Sequence, residues 1–144
     1  MKNFILILLS LCIMAGGETE YAEPKPSFDN PRLVVFAVTE DSPYAFNHVL
    51  SVASNVVKYY GADNINMKIV AYSKGLKLLY KNNESTAARV DALMQIDVEF
   101  VACGNTMTTY KVKEEDLVEG SIIVTAGVVE LLESVKSGWT YIKP

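Results

Sequence analysis

Cys103 stands directly after an apolar run, residues 98–102 (VEFVA), and directly before Gly104, Asn105 and Thr106. A thiol between a strand and the segment that follows it sits at or beside a helix N-terminus. Free backbone N–H groups and the helix dipole there favour thiolate over thiol. Such a thiolate attacks sulfane sulfur or disulfides and can hold a transferred sulfur as a persulfide. Gly104 would let the backbone approach a ligand, and Asn105 or Thr106 could cap the helix or hydrogen-bond a terminal sulfur. The competing reading is a packed structural thiol, because free cysteine is among the most buried residue types.

Ligands of open α/β sheets collect beyond the carboxyl ends of the strands. The other positions to weigh are therefore residues 39–42, 73–75 and 125–127. Lys74 could place positive charge near the thiolate, although a lysine in a Ser-Lys-Gly turn is usually solvated. Gly75 and Gly127 could line the same site, and by residue type they are turn or helix-start glycines. The candidate site is Cys103 as the reacting group with Gly104, Asn105, Thr106, Lys74, Gly75 and Gly127 around it.

Other constellations are weaker. His48 is the single histidine, and a hydrolase pairing it with Cys103 lacks an assignable orienting Asn or Asp. A partly exposed helix histidine accounts for it better. Glu40 and Asp41 end the first apolar run, where carboxylates favour the start of a following helix more readily than they form an acid/base pair. Asn83-Glu84-Ser85 matches a glycosylation sequon, which matters only in a eukaryotic secretory pathway. Neither GxxxxGK[ST] nor GxGxxG occurs, so no motif supports nucleotide binding. Two cysteines and one histidine do not assemble a Cys/His zinc site. No cofactor is implied.

These positions need elements to hold them. Residues 33–38 (LVVFAV), 67–72 (MKIVAY), 98–102 and 122–125 (IIVT) are mostly unalternating and rich in β-branched or aromatic residues. They read as strands, most of them covered on both faces. After the first, Ser42 caps and Pro43 starts a helix whose Ala45, Val49, Val52, Val56 and Tyr60 recur at helical spacing until Gly61 stops it. A second helix is expected over 84–95 and a third over 128–136, ending at Gly138. The segment 104–120 is expected to hold a short helix and then a turn near 114–117, and residues 139–143 read as a last strand. Strands alternating with helices predict a three-layer α/β/α sandwich on a mainly parallel sheet of about five strands, flavodoxin-like in appearance.

The chain has 144 residues, 50 % of them hydrophobic and 21 % charged, which suits one compact domain and excludes disorder. A net charge of -4 without a basic stripe argues against a nucleic-acid partner. Residues 1–17 (MKNFILILLSLCIMAGG) have the basic start, apolar run and small-residue end of a signal peptide, with an alternative cleavage site after Ala22. The apolar run is short for a membrane span, so no stable membrane insertion is expected after cleavage. The reading is an exported, periplasmic protein. Leu11 stands where a lipoprotein signal at Cys12 would want a small residue. Residues 18–31 carry Pro24, Pro26 and Pro31 and read as an extended linker to a domain over 32–144. Cleavage after Gly17 removes Cys12 and leaves Cys103 without an internal disulfide partner. That also weakens thiol-disulfide exchange, since no CxxC is present.

From Val98 onward, VEFVACGNTM, then EEDLVEG and SIIVTAGVVELLESVKSGWTYIKP, the order and residue types resemble the DsrE/DsrF-like (YchN-like) sulfur-relay family, especially its small exported single-domain members. The resembling features are a strand ending in cysteine before Asn-Thr, a strand leading to Ala-Gly-Val-Val-Glu-Leu, and a terminal Gly-Trp-x-Tyr-Ile-Lys-Pro. The turn Ala71-Tyr72-Ser73-Lys74-Gly75 resembles the family's strand-to-glycine turn, with Lys74 where a histidine is often seen. The resemblance spans about residues 32–144. It implies a homo-oligomer, trimer or hexamer, in which a cysteine at the position of Cys103 accepts and passes on sulfur in a sulfurtransferase-like carrier activity. The implied partners are sulfur donor and acceptor proteins or small sulfur compounds. The alternative is a non-catalytic oligomeric module that binds a small ligand or a protein and keeps its cysteine for packing.

Overall fold

The computed structural model describes residue 17 and residues 19–144. The expected signal sequence and Cys12 fall outside the described residues, apart from Gly17. In chain order the elements are β1 (Arg32–Val38), α1 (Pro43–Tyr60), β2 (Ile65–Ala71), a 3-10 stretch (Ser73–Leu79), α2 (Ala87–Met94), β3 (Val98–Cys103), α3 (Gly104–Tyr110), β4 (Ile122–Val124), α4 (Gly127–Lys136) and β5 (Thr140–Ile142). The five strands form one sheet in the order β4-β3-β2-β1-β5, and every pairing is parallel.

That order follows from the connections. Three steps in one direction, β1 to β2 to β3 to β4, place their right-handed crossovers on one face. The return from β4 to β5 crosses the other face through α4. Alternation along β1 shows the division: Val34, Phe36 and Val38 join the core under α1 and α2, while Val35 and Ala37 join the core under α4.

The first face is deeply packed. Phe36, Phe100, Leu50, Leu76, Leu78 and Leu79 are fully buried, each stabilising the fold by about 1.5–3 kcal/mol. α1 is delimited as its sequence predicts. The Ser42 side chain accepts from the Ala45 N–H at 3.1 Å, Pro43 occupies the first turn, and Gly61 ends the helix at φ 82°. The second face carries less. Leu131 of α4 meets Val35, Val70 and Val101. Lys68 ties β2 to α4 through Glu130 at 2.9 Å and lies 4.7 Å from the Trp139 ring centre. The outer side of α4 is uncovered, with Val128 59 %, Val129 54 % and Leu132 63 % exposed.

Three details differ from the sequence reading. α2 starts three residues later than expected, because residues 83–86 form a turn in which the buried Thr86 hydroxyl donates to the Leu78 carbonyl at 3.3 Å. The 3-10 stretch has no counterpart in that reading, since Leu76, Leu78 and Leu79 fit neither the strand nor the helix period. β4 and β5 are three-residue edges, and Ile122 and Ile142 are exposed rather than covered.

Residues 19–31 lie against this domain. Tyr59 donates its hydroxyl to the Thr19 carbonyl at 2.5 Å, the Tyr21 ring packs on Tyr59 and Tyr60, and Arg32 donates to the carbonyls of Ala22 and Pro24. Among the described residues no helix is long and apolar enough to cross a membrane.

Candidate functional site

Cys103 is the last residue of β3. It lies two positions beyond Val101, which faces α4, so its side chain stands on that same face. It is a free thiol, 6 % exposed. Two glycines allow the backbone to close around it. A Cβ at Gly127 would lie 3.1 Å from Cys103 Cβ, 3.2 Å from Val70 Cγ1 and 3.3 Å from Tyr72 Cβ, so only glycine lets the first amide of α4 approach the sulfur unhindered. A Cβ at Gly104 would lie 2.9 Å from the Val124 carbonyl oxygen, where α3 passes the end of β4. The Asn105 N–H then bonds the Thr125 carbonyl at 3.0 Å, tying the start of α3 to the β4–α4 turn.

This geometry acidifies the thiol. Burial pushes the Cys103 pKa up, and hydrogen bonds from the Thr106 side chain and from the amides of Gly127, Thr106 and Asn105 outweigh it, leaving the thiol below its ordinary 9.0. The donors are neutral, so the negative charge rests on dipoles. Thr106 is oriented for the task. Its Oγ1 accepts the Ser73 N–H at 3.0 Å, which leaves its one hydroxyl proton for the sulfur. Ser73 holds a left-handed φ of 53°, a conformation uncommon for a residue other than glycine.

Of the residues singled out in the sequence, Cys103, Gly104, Asn105, Thr106 and Gly127 come together. Gly75 does other work. A Cβ there would lie 2.1 Å from the Val38 carbonyl oxygen, so this glycine lets the 3-10 stretch pack across the end of β1. Lys74 is exposed at the start of that stretch, and its charge is not among the interactions that dominate the acidity of Cys103. His48 stacks on Tyr44, with ring centres 5.7 Å apart. The two line a cavity of about 280 Å³ with Thr39, Glu40 and Lys143, to which Cys103 does not contribute. Asp41 is held by Lys77 at 2.5 Å, and Asn83 donates its amide to the Lys77 carbonyl at 3.2 Å. Among the described residues no cluster of His, Cys, Asp and Glu side chains could hold a metal ion.

One neighbour of the thiol was not singled out. The β2–β3 register pairs Ala71 with Ala102, so Tyr72 follows beside Cys103. Its ring packs partly into the core under α4. Burial raises the Tyr72 pKa, and the negative charge available to Tyr141 and Cys103 raises it further. No signal in a single apolar run marks this neighbour, because it depends on the register between β2 and β3.

Comparison with known proteins adds to this geometry. The model of the DsrE/DsrF-like family matches residues 34–144. No curated protein matches the chain. Among solved structures, it is similar to a protein of unknown function from Methanobacterium thermoautotrophicum, with 30 % identity and a TM-score of 0.74 over 78 % of this chain and 99 % of that one. It shares its fold with the ychN protein of E. coli, at 13 % identity and a TM-score of 0.69, again over 78 % of this chain and 99 % of the other.

Proposed function

The chain belongs to the DsrE/DsrF-like family, and from that premise we propose that it is a sulfur-relay protein whose Cys103 carries sulfane sulfur as a persulfide. The observation that supports this is the convergence of the Thr106 hydroxyl and the Gly127 and Thr106 amides on one sheltered sulfur. The Cys103 thiolate attacks the outer sulfur of a donor persulfide, R–S–SH. The donor S–S bond breaks with its electron pair on R–S⁻, a new S–S bond forms to Sγ, and the transferred sulfur keeps its proton. In the return step an acceptor thiolate attacks that outer sulfur and Sγ leaves as thiolate. No external oxidant or reductant is needed. A lowered thiol pKa serves both steps, since it raises the thiolate fraction for attack and makes Sγ the better leaving group.

Intact-mass measurement before and after exposure to sulfide plus polysulfide tests the reading. A reducible added sulfur mapped to Cys103, and absent in Cys103→Ser, is the expected result. A thiol that neither loads nor alkylates until denaturation would overturn it and leave a binding module with a structural cysteine.

Two further parts of the reading concern its setting. The chain is an exported, periplasmic protein, on the strength of residues 1–17. It works as a homo-oligomer, because a parallel sheet is normally covered on both faces and the α4 side leaves Val128, Leu132, Ile122 and Tyr141 exposed. A second copy of the chain, presenting the same apolar side, is the occupant of matching chemistry.

A further inference from the structure

We infer that Tyr72 is a functional residue of the sulfur site: its phenol donates a hydrogen bond to the outer sulfur of the Cys103 persulfide. This deepens the sulfur-carrier reading and rests on it. The placement comes from the sheet. β2 and β3 pair in register through Ala71 and Ala102, and Tyr72 continues toward β1 by donating its N–H to the Val38 carbonyl at 3.1 Å. Tyr72 and Cys103 are thus lateral neighbours on adjacent strands, roughly 4.8 Å apart in the pairing direction. Both side chains leave the sheet on the same face, since a Cβ at Gly127 would touch both Cβ atoms, at 3.1 Å and 3.3 Å.

The donors already described converge on Sγ itself. A persulfide places a second sulfur one S–S bond farther out than the atom those donors hold. Tyrosine has the length to follow it, and the Tyr72 ring packs partly against the core on the same face. The phenol suits a donor role rather than that of a base, because burial keeps it protonated into alkaline solution. A hydroxyl that stays protonated stabilises an anionic outer sulfur without taking part in proton transfer. The titratable side chains on this face include Tyr72, just past the end of β2, Tyr141 of β5 and, lower down, Lys68 of β2 with its two partners, Glu130 of α4 at 2.9 Å and Glu99 of β3 at 3.9 Å. α3 presents amides and the Thr106 hydroxyl.

The test uses the whole protein loaded with polysulfide. The absorbance of the persulfide anion is titrated against pH in wild type, Tyr72→Phe and Tyr72→Gln, alongside the pH profile of iodoacetamide alkylation of the unloaded thiol. The phenylalanine variant keeps the ring and its packing, and the glutamine variant supplies a different donor if the first does not fold. The expected result is a persulfide midpoint about one unit higher in Tyr72→Phe, equivalent to a tenfold loss of anion stabilisation, with partial return in Tyr72→Gln. The alkylation profile of the unloaded thiol stays at its wild-type position. An unshifted persulfide midpoint in a folded Tyr72→Phe that loads normally overturns the inference and leaves the carrier reading standing. Wild-type protein that does not load overturns both.

Discussion

Thr106→Val isolates the side-chain donor at Cys103 while keeping the shape of the residue. Threonine and valine are nearly isosteric, and the change removes a hydroxyl that receives the Ser73 N–H at 3.0 Å and hydrogen-bonds the sulfur. A hydrogen bond to a charged group contributes about 1.5–3 kcal/mol, so its loss raises the thiol pKa by about one to two units. Cys103 is 6 % exposed, so solvent does not replace the lost donor in full. Because the thiol pKa starts below its ordinary 9.0, the wild-type alkylation rate rises through a midpoint below that value, and the variant curve moves up the pH axis. At a fixed pH below both midpoints the rate falls less than the thiolate fraction does, since nucleophilicity rises with pKa. A Brønsted slope of about 0.4–0.5 leaves a roughly three- to tenfold drop. Ser73 is exposed and its amide turns to water, so stability changes by no more than about 1 kcal/mol. The assay is the rate of iodoacetamide addition from pH 5 to pH 10, with Thr106→Ser as the variant that retains the donor. A Thr106→Val midpoint equal to that of wild type, in protein of unchanged melting temperature, would refute the argument that this hydroxyl sets the acidity.

Other outcomes follow from the same geometry. Gly75→Ala forces a methyl group to within 2.1 Å of the Val38 carbonyl oxygen unless the chain moves, and urea denaturation should show a loss of about 3 kcal/mol; an unchanged midpoint would contradict the close approach. Leu132→Glu places a charge on the exposed side of α4, where Leu132 is 63 % exposed. The expected result is a shift toward monomer in sedimentation equilibrium, with the monomer fold altered by no more than about 0.5 kcal/mol. Persistence of an oligomeric wild-type mass would refute α4 as the contact, and a monomeric wild type would refute the proposed homo-oligomer. The thiol also contributes to the pH dependence of folding. Its folded pKa lies below its ordinary value, so its stabilisation is complete above pH 9.0 and fades as the pH falls through the folded value. Cys103→Ser should flatten that part of the stability profile, which chemical denaturation from pH 6 to pH 10 would reveal.

What was legible in the sequence was what depends on local pattern. The apolar runs announce their strands because both faces of a central parallel strand are buried, and α1 is bounded by a capping serine, a first-turn proline and a stopping glycine. Cys103, Gly104, Asn105, Thr106 and Gly127 could be grouped because strand ends gather at one rim of such a sheet. Gly75 shares that rim, yet its glycine serves a backbone contact with β1, and residue type alone does not separate the two uses. Lys74 was placed by adjacency, while the structure acidifies the thiol with dipoles. Tyr72 required the register between two strands, which no single run encodes. The 3-10 stretch was hidden because three buried leucines at uneven spacing match no period.

The return crossing of α4 also sets the order in which the molecule is completed. β1 is built near the start of the chain, yet one of its two neighbours is β5, whose Tyr141 pairs with Val35. Pairing across so long a stretch of chain closes late, because loop-closure entropy must be overcome before the contact forms. The Gly127 amide reaches Cys103 only once α4 has docked. Until then the sulfur lacks one of its donors, so the acidity of this thiol is a property of the completed fold and not of the β3–α3 segment that carries it.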